Sequence, residues 1–132
     1  MADALTTWEA YLAYLKSQPL LTNLLANNSQ VKESQFQGDV FSYPAVRLYI
    51  DYHPSINGCG VDTADIYIDI FSEEKSSKQS QNIASVLENL LQKKQFTQNG
   101  IKFPMNWVKD VIHPKRDIYA WKSCLNIKAL VN

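Results

Sequence analysis

Asp62, Glu73, Glu74 and Lys75 come nearest, by type and spacing, to a catalytic set in this chain. Glu73-Glu74-Lys75 contains a Glu-x-Lys step, and Asp62 lies upstream of it. Two carboxylates can hold Mg²⁺ beside a lysine that helps to activate water, the arrangement that hydrolyses phosphodiesters. That chemistry needs the Glu and the Lys on one strand face at the metal. Here both sit where the hydrophobic pattern turns from strand to helix, and acids at a helix start already complement its positive end.

The other candidates have plainer explanations. Asp65 and Asp69 share a strand face with Tyr67, and with Asp62 they offer oxygen ligands, but aspartates on the solvent face of a half-buried strand need no metal. His53 and His113 each precede a proline at a strand end, while Cys59 and Cys124 form neither a CxxC motif nor a close ligand pair. These four residues lack zinc-site or nucleophile spacing, so solvated histidines and free thiols in a reducing cytosol are expected. The glycines are Gly38, Gly58, Gly60 and Gly100, which make no phosphate-cradling loop. Trp107, Tyr119 and Trp121 could stack on bases or sugars, but they suit a sheet core or a subunit interface equally well. No cofactor is expected.

The elements that must position these residues follow from periodicity. Leu5, Trp8, Leu12 and Leu15 recur at helical spacing, and Thr6 with Glu9 fits a capping box. Pro19 breaks that helix and opens a second, short one within 20–27. A polar loop follows over 27–42, with room for a short edge strand near Val31 or Phe36. Val46, Leu48, Ile50 and Tyr52 alternate with Arg47, Tyr49 and Asp51, which predicts a strand over 45–52. Ile66, Ile68 and Ile70 oppose Asp65, Tyr67 and Asp69 in a second strand over 61–71, and the two form a hairpin. Ser72 reads as the cap of a helix whose stripe is Ile83, Val86, Leu87, Leu90 and Leu91, closed by Lys93 and Lys94. Asn99-Gly100 marks a turn. Strands over 106–112, ended by His113-Pro114, and over 116–131 complete the chain. The predicted class is α+β: a mostly antiparallel sheet of four to five strands, with an N-terminal and a central helix on one face.

The length, 132 residues, suits one domain spanning 1–132. An apolar share of 45% excludes a wholly disordered chain. Lys+Arg and Asp+Glu number 13 each, so no global positive excess exists to displace counterions from nucleic acid. Zero net charge also removes a repulsion that keeps copies apart. Met1-Ala2-Asp3-Ala4 is unlike a secretory leader, and no apolar run approaches a membrane span, so a soluble protein is expected.

Charge is segregated along the chain. Residues 1–91 sum to −6 and residues 92–132 to +6. Acids at a helix start and lysines at its end explain only part of this. If the two sets fall on different sides, each copy can meet the next head to tail, a contact that closes into rings.

The segment Tyr43-Pro44-Ala45-Val46-Arg47-Leu48-Tyr49-Ile50 leads to a loop and then to Ala64-Asp65-Ile66-Tyr67-Ile68-Asp69-Ile70-Phe71-Ser72. The helix with Ile83-Ala84-Ser85-Val86-Leu87-Glu88-Asn89-Leu90-Leu91 follows, then two late strands. This pattern resembles the tail terminator proteins of tailed bacteriophages, and related neck and tail-completion proteins are similar. The resemblance implies a virion protein of the tail or neck, assembled in the host bacterial cytoplasm. Its copies would form a hexameric ring on the head-proximal end of the tail tube, ending polymerisation and joining the tail to the head. The implied partners are the chain itself, the tube protein, the head connector or stopper and, in contractile tails, the sheath. DNA would only pass through the lumen, and no membrane, metal or cofactor is involved.

Contacts with tube or neck are expected on the hairpin loop 53–61, which carries His53, Ile56 and Asn57, with the loop 35–43 and the turn 95–102 as further candidates. Ring contacts are expected between Asp62, Asp65 and Asp69 of one copy and Lys109, Lys115 or Arg116 of the next. Another head–tail joining protein is the alternative reading, and a PD-(D/E)xK-like nuclease built on Asp62, Glu73 and Lys75 is a distant one.

Overall fold

The computed structural model describes residues 3–24, 31–33, 45–54, 62–72, 78–116 and 121–131. Helix α1 (Ala4–Lys16) starts at Asp3, one turn before the box read from Thr6 and Glu9. Thr6 N–H donates to Asp3 Oδ1 at 2.8 Å, and Asp3 N–H donates to Thr6 Oγ1 at 3.0 Å. A carboxylate at the cap adds charge to the hydrogen bond and faces the helix's positive end, so Asp3 displaces Thr6 from that role. The Thr6 N–H holds the Asp3 carboxyl below its ordinary value. Pro19 opens helix α2 (Pro19–Thr22), as expected of a residue that needs no N–H in a first turn.

Strand β1 (Val31–Glu33) lies parallel to β2 (Ala45–His53), and β2 forms a hairpin with β3 (Asp62–Ser72), in register from Ala45–Phe71 to His53–Thr63. β3 also pairs along its whole length with β7 (Trp121–Val131), from Asp62–Val131 to Ser72–Trp121. That pairing corrects the reading of Ser72 as a helix cap. Ser72 is the last, buried residue of β3, and its hydroxyl donates to Gln79 Oε1 at 2.5 Å. Helix α3 (Lys78–Leu91) begins later, and Glu73, Glu74 and Lys75 lie outside the described residues.

α3 buries Ile83, Ala84, Leu87 and Leu91. It stops at Leu91, just before Lys93 and Lys94. Lys93 takes a positive φ of 56°, and its N–H leaves the helix for the Asn106 carbonyl at 2.8 Å. A small hairpin, β4 (Phe96–Gln98) and β5 (Ile101–Phe103), then turns at Asn99 (φ 53°) and Gly100 (φ 79°). Two positive φ values in a two-residue loop suit Asn-Gly. Strands of three residues show too little alternation to be read from sequence, so only the turn was legible.

β6 (Asn106–Arg116) pairs antiparallel with β7 and runs through His113-Pro114, where the sequence suggested an end. It is an edge strand, and its register shifts between Ile112 and Lys115. A proline costs a sheet no hydrogen bond at an edge or a bulge. Arg116 therefore closes β6 rather than opening β7.

The main sheet has the order β1-β2-β3-β7-β6, antiparallel except at β1. α1 lies over β1 and β2, and α3 over β3, β7 and β6. Between helices and sheet, Leu48, Ile66, Ile68, Ile70, Leu125 and Ile127 meet Leu15, Leu21, Ile83 and Leu87 in one core. Tyr11 makes edge contacts with Phe96 and Phe103 at 5.4 and 5.3 Å between centroids. Its buried hydroxyl donates to Asn106 Oδ1 at 3.1 Å, while Asn106 Nδ2 donates to the Lys94 carbonyl at 2.9 Å. Asn106 thus joins α1, the end of α3 and β6.

Removing Asn106 strands a buried donor and an acceptor at once. Asn106→Ala should cost about 2–4 kcal/mol in urea unfolding, and Tyr11→Phe, which strands one acceptor, about 1–2 kcal/mol. An equal cost for the two would show that Asn106 does not bridge the elements.

Candidate functional site

The helices cover one face of the sheet. On the opposite face the strand registers align the outward side chains into rows. Arg47, Asp69 and Cys124 make one row; Tyr49, Tyr67, Asn126 and Asp110 the next; Asp51, Asp65, Lys128 and Trp107 a third. Phe71 and Lys122 lie beside the first row.

Each row has its own chemistry. Lys122 Nζ is 3.7 Å from Asp69 Oδ2, and both it and Arg47 sit over the Phe71 ring, at 5.8 and 5.6 Å from the centroid. Tyr49 and Tyr67 tilt against each other at 5.9 Å. Asp51 and Asp65 stand directly opposite, and like charges in that position repel. Each has a partner: the Tyr49 hydroxyl donates to Asp51 Oδ1 at 2.8 Å, and His53 Nε2 lies 3.1 Å from Asp65 Oδ2. The hydrogen bond to Asp51 raises the Tyr49 phenol above its ordinary value. Asn126 Oδ1, at the centre of the face, is buried without a hydrogen-bond partner.

Asp65, Asp69 and Tyr67 share this open face, as the alternation predicts. Asp62 is on the other side: it pairs with buried Val131 and accepts a hydrogen bond from the Tyr52 hydroxyl. Burial, then the Asp62 carboxylate, pushes that phenol up to about 12. The three aspartates therefore do not converge, and among the described residues no group of three or more His, Cys, Asp or Glu side chains is placed to hold a metal ion. His53 ends β2 and reaches back to Asp65; Ile56 and Asn57 lie outside the described residues, as does Cys59. Lys109, Lys115 and Arg116 all lie on β6, two strands away from β3. The turn 95–102 borders a shallow groove of about 380 Å³ lined by Phe96, Lys102 and Phe103.

The topology converts the charge split along the chain into a split across the sheet. β1 and β2 are each balanced, and β3 carries Asp62, Asp65 and Asp69. β7 and β6 carry Lys122, Lys128, Lys109, Lys115 and Arg116 against Asp110 alone. One half of the sheet is acidic and the other basic, with the basic half ending at the β6 edge.

That edge is the feature sequence reading missed, because strand order is not written in the residues. Its first part is covered: Val108 N–H donates to Gln92 Oε1 at 2.7 Å, and the Asn106 carbonyl accepts from Lys93. Beyond Val108, among the described residues, no other element bonds to its outer side. Val111 remains 44% exposed there, and Trp107, in the covered part before it, 38%.

Cys124 lies on the open face beside Asp69. Partial burial, then the hydrogen bond to Asp69, pushes its thiol up to about 12. The thiol form is favoured in the folded state, so its contribution to stability holds below the ordinary thiol range and is lost as pH rises toward about 12. In a Cys59→Ser chain, iodoacetamide at pH 8 should label Cys124 at least tenfold more slowly in the folded protein than in urea, because thiolate is the reactive form. Equal rates would refute the raised thiol.

No protein-family model and no curated protein matches the sequence. Solved structures do match the fold. A chain from a virion of a native gene transfer agent particle superposes with a TM-score of 0.78 at 14% identity, over 99% of this chain and 98% of its own. A second solved structure matches with a TM-score of 0.65 at 10% identity, over 98% of this chain and 94% of its own. This chain is thus similar in fold, end to end, to a chain of a gene transfer agent virion.

Proposed function

We propose that this protein is a structural component of a virion, and specifically a tail terminator. Its copies form a hexameric ring that caps the head-proximal end of a tail tube and joins it to the head connector or stopper. The observation that carries this reading is the likeness in fold to a chain of a gene transfer agent virion, which covers 99% of one chain and 98% of the other. The resemblance in sequence pattern to tail terminators points the same way. Other neck and head–tail joining proteins are the second reading, since the same pattern suits them.

The mechanism is capping by shape and charge, with no bond made or broken. A ring that matches the growing face of the tube on one side and differs on the other stops addition of further tube subunits. The sheet supplies the means for copies to meet: its acidic half, around Asp65 and Asp69, attracts the basic half, around Lys109, Lys115 and Arg116, of the neighbour. A chain of zero net charge suits a ring through which DNA passes without being gripped. The nuclease alternative needs Glu73 and Lys75 beside a metal. It predicts Mg²⁺-dependent cleavage of DNA that Glu73→Gln and Lys75→Met each abolish.

Deleting this gene product from a producing strain should leave tails of irregular, mostly excessive length that are not joined to filled heads, as seen by electron microscopy. Joined tails of normal length would sink the reading. In vitro, Lys115→Glu with Arg116→Glu should lower the oligomer mass measured by light scattering at low salt, and less so as salt screens the charges. An unchanged mass would remove Lys115 and Arg116 from the ring contact.

A further inference from the structure

We infer that neighbouring copies join by main-chain strand addition, the free edge of β6 in one copy pairing antiparallel with the β1 edge of the next. This deepens the ring reading and rests on it. Three observations on the structure carry it.

The first is the edge itself. Val108 N–H and the Asn106 carbonyl are already taken by Gln92 and Lys93, and the register breaks again between Ile112 and Lys115 at Pro114. Between these limits lies a short stretch, 109–112, that no other described element covers. Trp107 stands on the open face opposite Lys128, while Val111 pairs with Leu125, whose side chain is buried under the helices. Both are nevertheless exposed, one from each face of the strand. A strand added at 109–112 flanks Val111, while Trp107 lies in the covered part just before that stretch.

The second is direction. β1 runs parallel to β2, and each later step across the sheet reverses direction, so β6 runs opposite to β1. In a cyclic ring every copy keeps the same orientation to the axis. The β6 of one copy therefore meets the β1 of the next antiparallel, with hydrogen bonds perpendicular to the strands.

The third is charge. Pairing β6 with β6 of a second copy would bring Lys109, Lys115 and Arg116 against their own counterparts and would close at two copies. Pairing β6 with β1 sets it beside a strand whose Lys32 and Glu33 balance, which avoids that repulsion, and the same contact repeats around a ring.

Two measurements test this on assembled protein. In the native chain, amide exchange at 109–112 and 31–33 should slow at least tenfold on passing from dilute monomer to the assembled ring, while exchange in α3 stays unchanged. In a chain with Cys59→Ser and Cys124→Ser, Val111→Cys copies mixed with copies carrying Val31→Cys, Lys32→Cys or Glu33→Cys should give a disulfide-linked pair for at least one of the three under mild oxidation. Links between two Val111→Cys copies instead would overturn the inference in favour of β6–β6 pairing. A ring of full mass with neither protection nor cross-link would overturn strand addition and leave the ring reading standing. A chain that stays monomeric even on purified tails would remove both.

Discussion

The pairing of β3 with β7 is the constraint on which the rest of the structure depends. Eleven residues of each strand run in unbroken register through the centre of the sheet. A slip of one residue would send every side chain to the opposite face. Held as it is, the register puts Ile66, Ile68, Ile70, Leu125 and Ile127 under the helices and Asp65, Tyr67, Asp69, Cys124 and Asn126 on the open face. It also fixes where β2 and β6 attach, because each uses the remaining edge of one of these two strands. The β3–β7 boundary is, by the same token, where the acidic and basic halves of the sheet meet, and the Asp69–Lys122 pair crosses it.

How much of this was legible in the sequence varies with the reach of the interaction. Alternation within β2 and β3 showed both strands and their faces, because burial on one side repeats at every second residue. The stripe on α3 was legible for the same reason at helical period. Boundaries failed where a partner distant in sequence overrides a local preference. Ser72 is a good helix cap, yet Trp121 lies opposite and extends β3 to include it. His113-Pro114 looks like a stop, yet an edge strand with a bulge tolerates it. Thr6 and Glu9 fit a box, but Asp3 wins by charge. Of the expected contact residues, Asp65 and Asp69 emerge on one face and Asp62 on the other, a difference that follows from parity. The β6 edge could not have been found from composition, since Trp107 and Val111 look like ordinary strand residues until the strand order is known.

On the sheet face away from the helices, the described side chains partner one another. Its side chains pair across strands: Tyr49 with Tyr67, Arg47 and Lys122 around Phe71, His53 with Asp65. Each exposed contact of this type is small, a fraction of a kcal/mol to about 1. Their joint effect is to restrict rotamers, which lowers the entropy lost if another surface comes to rest on the face. Asp51, Asp65 and Asp69 on this face each have a partner, in Tyr49, His53 and Lys122.

The β6 edge combines two opposed requirements. A long, flat, apolar edge recruits any extended chain, and proteins usually blunt such edges with charge, bulges or proline. β6 has all three, in Lys109, the shift after Val108 and Pro114, and its first residues are further covered by Gln92 and Lys93. If protection were the only requirement, the cover could have continued and Val111 need not be exposed. Among the described residues, what remains open is a few residues long, flanked by the register shifts after Val108 and after Ile112. An edge of that length is matched by a strand as brief as β1. Were a neighbouring copy to pair here, the residues that protect the edge would also set its register.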